Sequence, residues 1–332
     1  MNNCSTAILR SIFFGLVLWR LATATSAGEP NRAEYDLLQK MPRPMLGQMV
    51  PERLGTTILG RGGCRYLTAA VALGDEERAA DAWKSIQATF ATQIDDGGFA
   101  GGGKPGDLPI TVYAIRVENA YFFLQELGRA LLVLQASPLA PRFQKQVEEV
   151  TPKMRRACDF IQKGYPTILP KVGHTANRLV IAAKAFGLCG LVLNDAQMIE
   201  SAHKLLKLAL ERRDDEGVFI ERGGRDSSYN AVVILMGQHL SIYVPEPELD
   251  AAIEKAMRWE RTRIKPTGEI EIEGNTRTGT GKELAGSGGI KQVNYREVSE
   301  ALFYYGVLHN EPETVHLAQQ VHSWDVEHRR GK

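Results

Sequence analysis

Ile94-Asp95-Asp96-Gly97-Gly98-Phe99 has two looser counterparts further along the chain, Asp214-Asp215-Glu216-Gly217-Val218-Phe219 and Pro266-Thr267-Gly268-Glu269-Ile270. Each copy follows a long amphipathic segment, and its polar turn residues lead to a glycine and then to an apolar residue that can tuck back into the body. The glycines of the last two copies are 51 residues apart, about one helical hairpin, and those of the first two are 120 apart, about two hairpins with longer connections. This repeat predicts stacked helix pairs.

The segments between the copies have the periodicity of helices, with apolar residues at i, i+3, i+4 and i+7. Leu205 and Leu208 share one face, for example, while Lys204 belongs to the outer face. Strand signals are limited to short runs at residues 217–220 and 270–272, so we expect an all-α protein. The predicted helices cover residues 33–41, 62–73, 75–93, 113–136, 140–163, 175–192, 195–213, 228–242, 247–262, 294–308 and 312–327.

Long glycine-rich connections join these helices at residues 95–110, 164–174, 214–228 and 264–293. Open solenoids have more regular repeats and shorter loops, so the connections favour a closed (α/α)n toroid of helical hairpins. In such a ring the loops meet at one mouth and build a cleft. No shift in composition divides the chain, and we therefore expect a single domain over residues 28–332.

Composition places the chain among globular proteins. It has 332 residues, of which 44% are hydrophobic and 24% charged, and this excludes disordered, collagen-like and coiled-coil proteins. The formal charge is +1, and the first 27 residues carry two arginines and no acid, so the remainder is also close to neutral. A near-neutral body argues against a nucleic-acid partner, because phosphate binding needs a basic excess on one face.

The N-terminus has the pattern of an export signal. Arg10 precedes an apolar run at residues 11–19, and Ala24 or Ala27 follows as a candidate cleavage position. We expect residues 1–27 to be a signal peptide and the mature protein to be secreted or periplasmic, with no membrane contact after cleavage. A buried N-terminal helix or a membrane anchor is the alternative interpretation.

Cysteine usage does not indicate a disulfide framework or a zinc site. Cys64, Cys158 and Cys189 are widely spaced and form no CxxC pair. Their apolar neighbours indicate buried, inert thiols. One disulfide with one thiol left over is the alternative.

The sequence indicates neither a metal nor a cofactor. The histidines stand singly, and Asp95-Asp96 and Asp214-Asp215 fit ordinary turns better than a calcium site or a carboxylate pair. Gly279-Thr280-Gly281-Lys282 lacks the other residues that a phosphate-binding loop requires. We expect this segment to be a flexible flap over the cleft, with Lys282 contacting the substrate.

Three polar clusters stand out at the starts of apolar helices. In the first, a glycine loop delivers His174 to a helix start, with Asn177 and Arg178 one turn later. In the second, Ser227 or Ser228 can cap the next helix and place Tyr229 in its first turn, where backbone N–H groups favour an anion.

Arg222 and Arg225 lie on a glycine-rich stretch beside Tyr229. The structural alternative is a capped helix whose tyrosine packs in the core and whose arginines pair with Glu221 and Asp226. The third cluster contains Arg116 and Asn119, which precede a strongly apolar run. Polar groups at such a position need partners or a solvated cleft.

The combination of Asn, His, Arg and Tyr fits proton abstraction next to a carboxylate. In a uronic acid polymer the C5 proton is acidic enough only when the carboxylate charge is neutralised, which Asn or Arg donors can do. A base removes that proton, and a phenol can protonate the departing C4 oxygen. The products are a cut chain and an unsaturated sugar.

These features resemble the α/α-toroid polysaccharide lyases, and within them the chain is most similar to the family numbered 38, which acts on alginate or glucuronan. The resemblance rests on the export signal, the helix pairs and the order Asn119, His174, Arg225 and Tyr229. It implies that His174 is the base, Tyr229 the acid and Asn119 the carboxylate neutraliser. Arg225, or Arg222 in its place, would hold the substrate.

The remaining substrate contacts expected in the cleft come from Arg116, Asn177, Arg178 and Lys282. The expected partner is an acidic, β-1,4-linked polysaccharide, either polymannuronate or glucuronan. Two other functions stay open. One is a toroidal glycoside hydrolase that uses Asp96, Asp215 or Asp226, and the other is a non-catalytic helical-repeat protein that binds uronates or a protein partner.

Overall fold

A computed structural model describes residues 31–48, 60–101, 107–285 and 288–329. Within these ranges the regular secondary structure is helical, and extended pairing is limited to isolated bridges. The expected all-α class is therefore confirmed. The helices are α1 (Ala33–Gln39), α2 (Arg43–Gln48), α3 (Arg61–Ala72), α4 (Glu76–Phe90), α5 (Pro109–Gln135), α6 (Ala140–Val172), α7 (Ala176–Val192), α8 (Ala196–Leu210), α9 (Ser227–Ser241), α10 (Pro247–Thr262), α11 (Tyr295–Leu308) and α12 (Pro312–Arg329).

Most predicted helices agree with the structure to within a few residues, but one predicted loop is wrong. Residues 164–172 continue α6 although Pro166 and Pro170 each remove a backbone donor from the helix. Tyr165 and Ile168 on this extension are buried. Packing of the apolar face therefore outweighs the poor helix propensity of the prolines. Residues 217–220 and 270–272 take part in isolated bridges rather than strands.

The helices alternate between two kinds. Helices α3, α5, α7, α9 and α11 each pack against the next member of that series, and α4, α6, α8, α10 and α12 each pack against the helix that precedes them in the chain. In α7 and α9 nearly every residue is buried, whereas α8 and α10 bury one face only. A helix that is apolar all round requires neighbours on all sides, and an amphipathic one requires a single apolar neighbour.

The five helices of the first kind run parallel to one another. Two side-chain contacts in each neighbouring pair give the relative direction of the two helices. The second contact lies further along both helices than the first, as expected for parallel helices. The pairs are Arg61–Phe122 and Arg65–Glu126, Glu118–Arg178 and Glu126–Lys184, Lys184–Met236 and Gly187–Leu240, and Ser228–Asn294 and His239–Tyr304.

The turn repeat has one backbone geometry in all three copies. Bridges join Gln93 to Phe99, Arg213 to Phe219 and Ile264 to Ile270, and the glycine of each turn has φ between 87° and 89°. A fourth copy, in which Leu284 bridges Ile290 and Gly288 has φ 88°, was not predicted. Glycine adopts this left-handed backbone conformation at little steric cost, which explains why it recurs at this position.

Charged side chains fill the space between the parallel helices. The Arg129 Nε donates to Glu34 at 2.6 Å, and the Glu126 carboxylate lies 3.1 Å from Arg65 and 3.5 Å from Lys184. Burial alone would raise the pKa of Glu126, but the neighbouring cations of Lys184, Arg65 and Arg129 hold it below its usual range. We call Glu34, Arg65, Glu126, Arg129 and Lys184 the core ion network.

The remaining sequence predictions concern the cysteines, the N-terminus and contact with a membrane. Cys64, Cys158 and Cys189 are buried with free thiols, as expected for inert interior residues. The predicted signal peptide, residues 1–27, lies outside the described residues. Across the described ranges, each helix is either too short or too polar to cross a bilayer.

The turn repeat can be tested with two matched glycines. In Gly268→Ala the new Cβ would overlap the carbonyl of Gln320 and lie 3.0 Å from the backbone nitrogen of Val321, whereas the Cβ in Gly288→Ala would meet no heavy atom of the described residues within 4 Å. Both changes strain a positive φ, which costs about 1–2 kcal/mol. We expect Gly288→Ala to lose only that amount and Gly268→Ala to lose at least about 3 kcal/mol, because α12 must also shift. Urea unfolding of both variants measures the difference, and equal losses would contradict the overlap.

Candidate functional site

Three of the predicted residues, His174, Arg178 and Tyr229, lie where two of the parallel helices begin. Thr175 is the N-cap of α7, so exposed His174 lies directly before that helix and Arg178 is its third residue. Asp226 is the N-cap of α9 and accepts a hydrogen bond from the Tyr229 backbone N–H at 3.2 Å. Tyr229 is therefore the third residue of α9, the same position that Arg178 has in α7. Parallel helices with adjacent starts also place several positive dipole ends on this side of the helices.

Tyr229 is surrounded by cations. The Lys291 ammonium donates a hydrogen bond to its hydroxyl oxygen, and the guanidinium carbon of Arg277 lies 3.8 Å from the centre of its ring. Burial raises the pKa of Tyr229, and the charges of Lys291 and Arg277 act in the opposite direction. Those charges would stabilise a phenolate formed there.

Glu283 orients both cations. Its Oε1 accepts from Arg277 Nη2 at 2.9 Å and from Lys291 Nζ at 2.8 Å, and its other oxygen lies 3.5 Å from exposed Arg222. The hydrogen bond from Arg277 lowers the pKa of Glu283 to about 2. The carboxylate is therefore ionised at neutral pH and fixes Lys291 against the phenol.

The segment that carries these cations is attached to the start of α9. Buried Asp226 accepts from the backbone N–H groups of Arg277 and Thr278, both at 2.8 Å, and from the Thr278 hydroxyl at 2.9 Å. Asn275 donates to the Ser227 hydroxyl at 3.0 Å. Because Asp226 also caps α9, one carboxylate fixes both Tyr229 and the segment above it.

Arg178 completes the cation cluster from the side of α5 and α7. It forms an ion pair with Glu118, and its guanidinium carbon lies 5.0 Å from the centre of the Phe122 ring. Burial lowers the pKa of Arg178, and the neighbouring Tyr229 raises it. Asn119 follows Glu118 on α5 and is half-buried. We call Tyr229, Arg178, Arg277, Glu283 and Lys291 the mouth cluster.

Two predicted arginines have other partners. Arg116 Nη2 donates to both carboxylate oxygens of Asp96, at 2.6 and 2.8 Å, in the first repeat turn. Arg225 lies 2.6 Å from Asp214 and 2.8 Å from Glu216 in the second. The sequence placed both in the cleft, but their guanidinium groups hold the repeat turns together.

The other predicted residues differ in exposure. Asn177 is buried, and its side-chain oxygen has no hydrogen-bond partner among the described residues. Lys282 and Arg222 are exposed, and Arg222 has φ 52°. Among residues 31–48, 60–101, 107–285 and 288–329, no group of three or more His, Cys, Asp or Glu side chains could hold a metal ion.

Sequence reasoning did not find Arg277, Glu283 and Lys291. They lie in a segment without helical periodicity, where the glycines at 279 and 281 drew attention to a phosphate-loop pattern instead. A cavity of about 310 Å³ lies elsewhere, between α6 and α8, and is lined by residues such as Tyr165, Phe186 and Leu205. It contains none of the predicted site residues.

No family model matches the chain, and no curated protein matches it either.

Glu260, a buried carboxyl that binds the residue after Tyr229, gives a prediction about how stability depends on pH. Asn230 donates to Glu260 at 2.8 Å and accepts from the Phe219 backbone at 3.4 Å, so Glu260 supports the second repeat turn. Burial raises the pKa of Glu260 to about 8. The folded protein thus holds a proton that the unfolded chain has released, and stability falls as pH rises from about 4.5 to 8.

We expect Glu260→Gln, which is always neutral, to weaken this pH dependence and to raise the melting temperature at pH 8 relative to the parent. Thermal unfolding between pH 5 and pH 8 measures it. Glu248→Gln on the same helix is the control, because Glu248 is exposed. A Glu260→Gln variant whose stability changes with pH as the parent's does would contradict the assignment.

Proposed function

We propose that the helix pairs close into an α/α toroid with the mouth cluster at one end. The support is a contact between the first and last of the five parallel helices. Arg65 of α3 donates to Glu297 of α11 at 3.0 Å, and the same guanidinium donates to Glu126 of α5 at 3.1 Å. If the first and last helices of the row are also neighbours, the row closes into a ring. The N-terminal ends of all five helices then surround one opening.

We further propose that the protein is a secreted polysaccharide lyase that cleaves a β-1,4-linked uronic acid polymer by β-elimination. The observation that carries this proposal is the Tyr229 hydroxyl held by the Lys291 ammonium, with Arg277 stacked on its ring. A phenol in a cationic cleft can give its proton to a leaving oxygen, because the phenolate left behind is stabilised by fixed positive charges. The polymer's own negative charge complements the cleft.

In the proposed reaction His174 takes the C5 proton of the sugar. The electron pair of that C–H bond forms the C4–C5 double bond, the C4–O bond breaks, and Tyr229 protonates the departing oxygen. Asn119 stabilises the enolate-like charge on the carboxylate. Lys291 and Arg277 stabilise the Tyr229 phenolate until it regains a proton.

Arg178 is better placed than Arg225 to hold the substrate. Arg225 is bound by Asp214 and Glu216, and a second anion would compete with two carboxylates already in place. Arg178 has one carboxylate partner, Glu118, and lies close enough to Tyr229 for their charges to interact. Exposed Arg222 and Lys282 can extend the contact along the polymer.

The hydrolase alternative is less well supported, because its acids have structural roles. Asp96 pairs with Arg116, and buried Asp226 accepts hydrogen bonds from Tyr229, Arg277 and Thr278. Asp215 is exposed in a repeat turn. A hydrolase needs two carboxyl groups free to reach the sugar, one acidic and one basic.

The test is to incubate the protein separately with polymannuronate, polyguluronate, glucuronan and pectate while following ultraviolet absorbance from the new double bond. We expect Tyr229→Phe and His174→Ala each to reduce turnover by about 10²–10⁴. Asn119→Ala should reduce it by about 10²–10³ through loss of electrostatic stabilisation.

Tyr35→Phe is the control, because Tyr35 lies on α1 beside Arg32, whose guanidinium binds the carbonyl of Ala136 at the far end of α5. It should retain full turnover. Near-normal turnover by Tyr229→Phe would overturn the assignment of the acid. Binding of a polyuronate without any absorbance change would favour the non-catalytic binding protein.

A further inference from the structure

Arg61 reaches the same mouth from α3, and a glycine fixes its approach. Gly60 has φ +57°, and a Cβ at that position would overlap Thr89 and lie 3.3 Å from the Phe123 ring. The chain therefore enters α3 by a path that only glycine fits well. Arg61, the first residue of the helix, then lies with its guanidinium carbon 5.4 Å from the centre of the Phe122 ring.

Arg61 and Arg178 share that aromatic ring. Their guanidinium carbons lie 5.4 and 5.0 Å from its centre, so the two groups are at most about 10 Å apart. The ring attracts both cations through its π face, and this compensates in part for their mutual repulsion. Two like charges held this close favour any anion that can approach both.

The charges on the two arginines are unequally compensated. Arg178 pairs with Glu118, but within the described part of the chain no carboxylate oxygen lies within 4.0 Å of the Arg61 guanidinium. Burial and the neighbouring Arg65 and Arg178 charges lower the pKa of Arg61 to about 10, although the more distant charges of Glu297 and Glu126 act in the opposite direction. Arg61 is therefore charged at neutral pH and lacks a close carboxylate, which is unusual for a partly buried cation.

We propose that Arg61, packed on Phe122 beside Arg178, binds the carboxylate of a second sugar residue, next to the residue that Arg178 holds at Tyr229. The proposal rests on the function proposed above and extends it to substrate class. A guanidinium group matches a carboxylate in plane and spacing, so each arginine can bind one with two parallel hydrogen bonds. The preferred substrate is then a polymer with a carboxylate on consecutive residues, rather than one in which uronate and neutral sugars alternate.

The experiment measures binding separately from turnover. All variants are made in the full chain carrying Tyr229→Phe, and titration calorimetry follows three probes: a mannuronate tetrasaccharide, a glucuronate tetrasaccharide and an uncharged β-1,4-glucose tetrasaccharide. We expect Arg61→Ala to weaken binding of a uronate probe by about 10-fold to 100-fold, the loss of one charged hydrogen-bonding contact. Binding of the glucose probe should not change.

Two further variants separate charge from folding. Arg61→Lys keeps the positive charge and should recover part of the affinity, and all variants should melt within a few degrees of their parent. Arg258→Ala is the control, because Arg258 lies exposed on α10 and pairs with Glu254 of its own helix. It should bind the uronate probes as the parent does.

Equal affinities of Arg61→Ala and Arg258→Ala for the uronate probes would overturn the inference, as would a parent that binds neither uronate. The elimination assay judges the reaction independently. A protein that binds uronates through Arg61 but forms no double bond would support this subsite and refute the proposed lyase activity.

Discussion

The arrangement of the parallel helices depends on charges that have no contact with water. Glu34, Glu126 and Arg129 are each at most 1% exposed, and Lys184 is fully buried. An isolated charge at such a depth would be costly, so each must find an opposite charge or a hydrogen bond on a neighbouring helix. Removing one member would leave the remaining buried charges less fully compensated. The pairing thus restricts the relative positions of α1, α3, α5 and α7 more tightly than apolar contacts alone.

Three residues of the core ion network lie deeper on the same helices as Arg61, Phe122 and Arg178. Arg65 lies one turn beyond Arg61, Glu126 one turn beyond Phe122, and Lys184 less than two turns beyond Arg178. A helix that slid along its neighbour would separate the charges of the core ion network. The residue nearer its N-terminal end, Arg61, Phe122 or Arg178, would move with it. The deep ion pairs therefore also determine where Arg61, Phe122 and Arg178 lie, although they do not contact these residues' own ion partners.

Sequence patterning was sufficient for most of the helices, because the apolar residues recur with a helical period over several turns, but the short α2 was not predicted. The patterning also failed at residues 164–172, where buried Tyr165 and Ile168 outweigh two prolines. At the site, a helix start identified Tyr229 and Arg178, since capping is a local signal. Their partners could not be read in this way, because Lys291 is 62 residues from Tyr229 in the chain and no periodicity links the two. The ion pairs of Arg116 with Asp96 and of Arg225 with Asp214 were not predicted, because an arginine near a cleft and an arginine paired with a turn acid look alike in sequence.

The hydrogen bonds around Glu34 and Arg65 also have a consequence for how the chain folds. Most helix contacts join neighbours in the hairpin series, so each hairpin can form on the one before it from contacts that are close in sequence. The Tyr304 hydroxyl, however, donates to Glu34 across 270 residues, and Arg65 binds Glu297 across 232. These bonds can form only after nearly the whole chain has been made, and closing so long a segment is slow. Glu34 and Arg65 therefore stay without these partners during synthesis, and the last hairpin to emerge is the one that completes the charged interior.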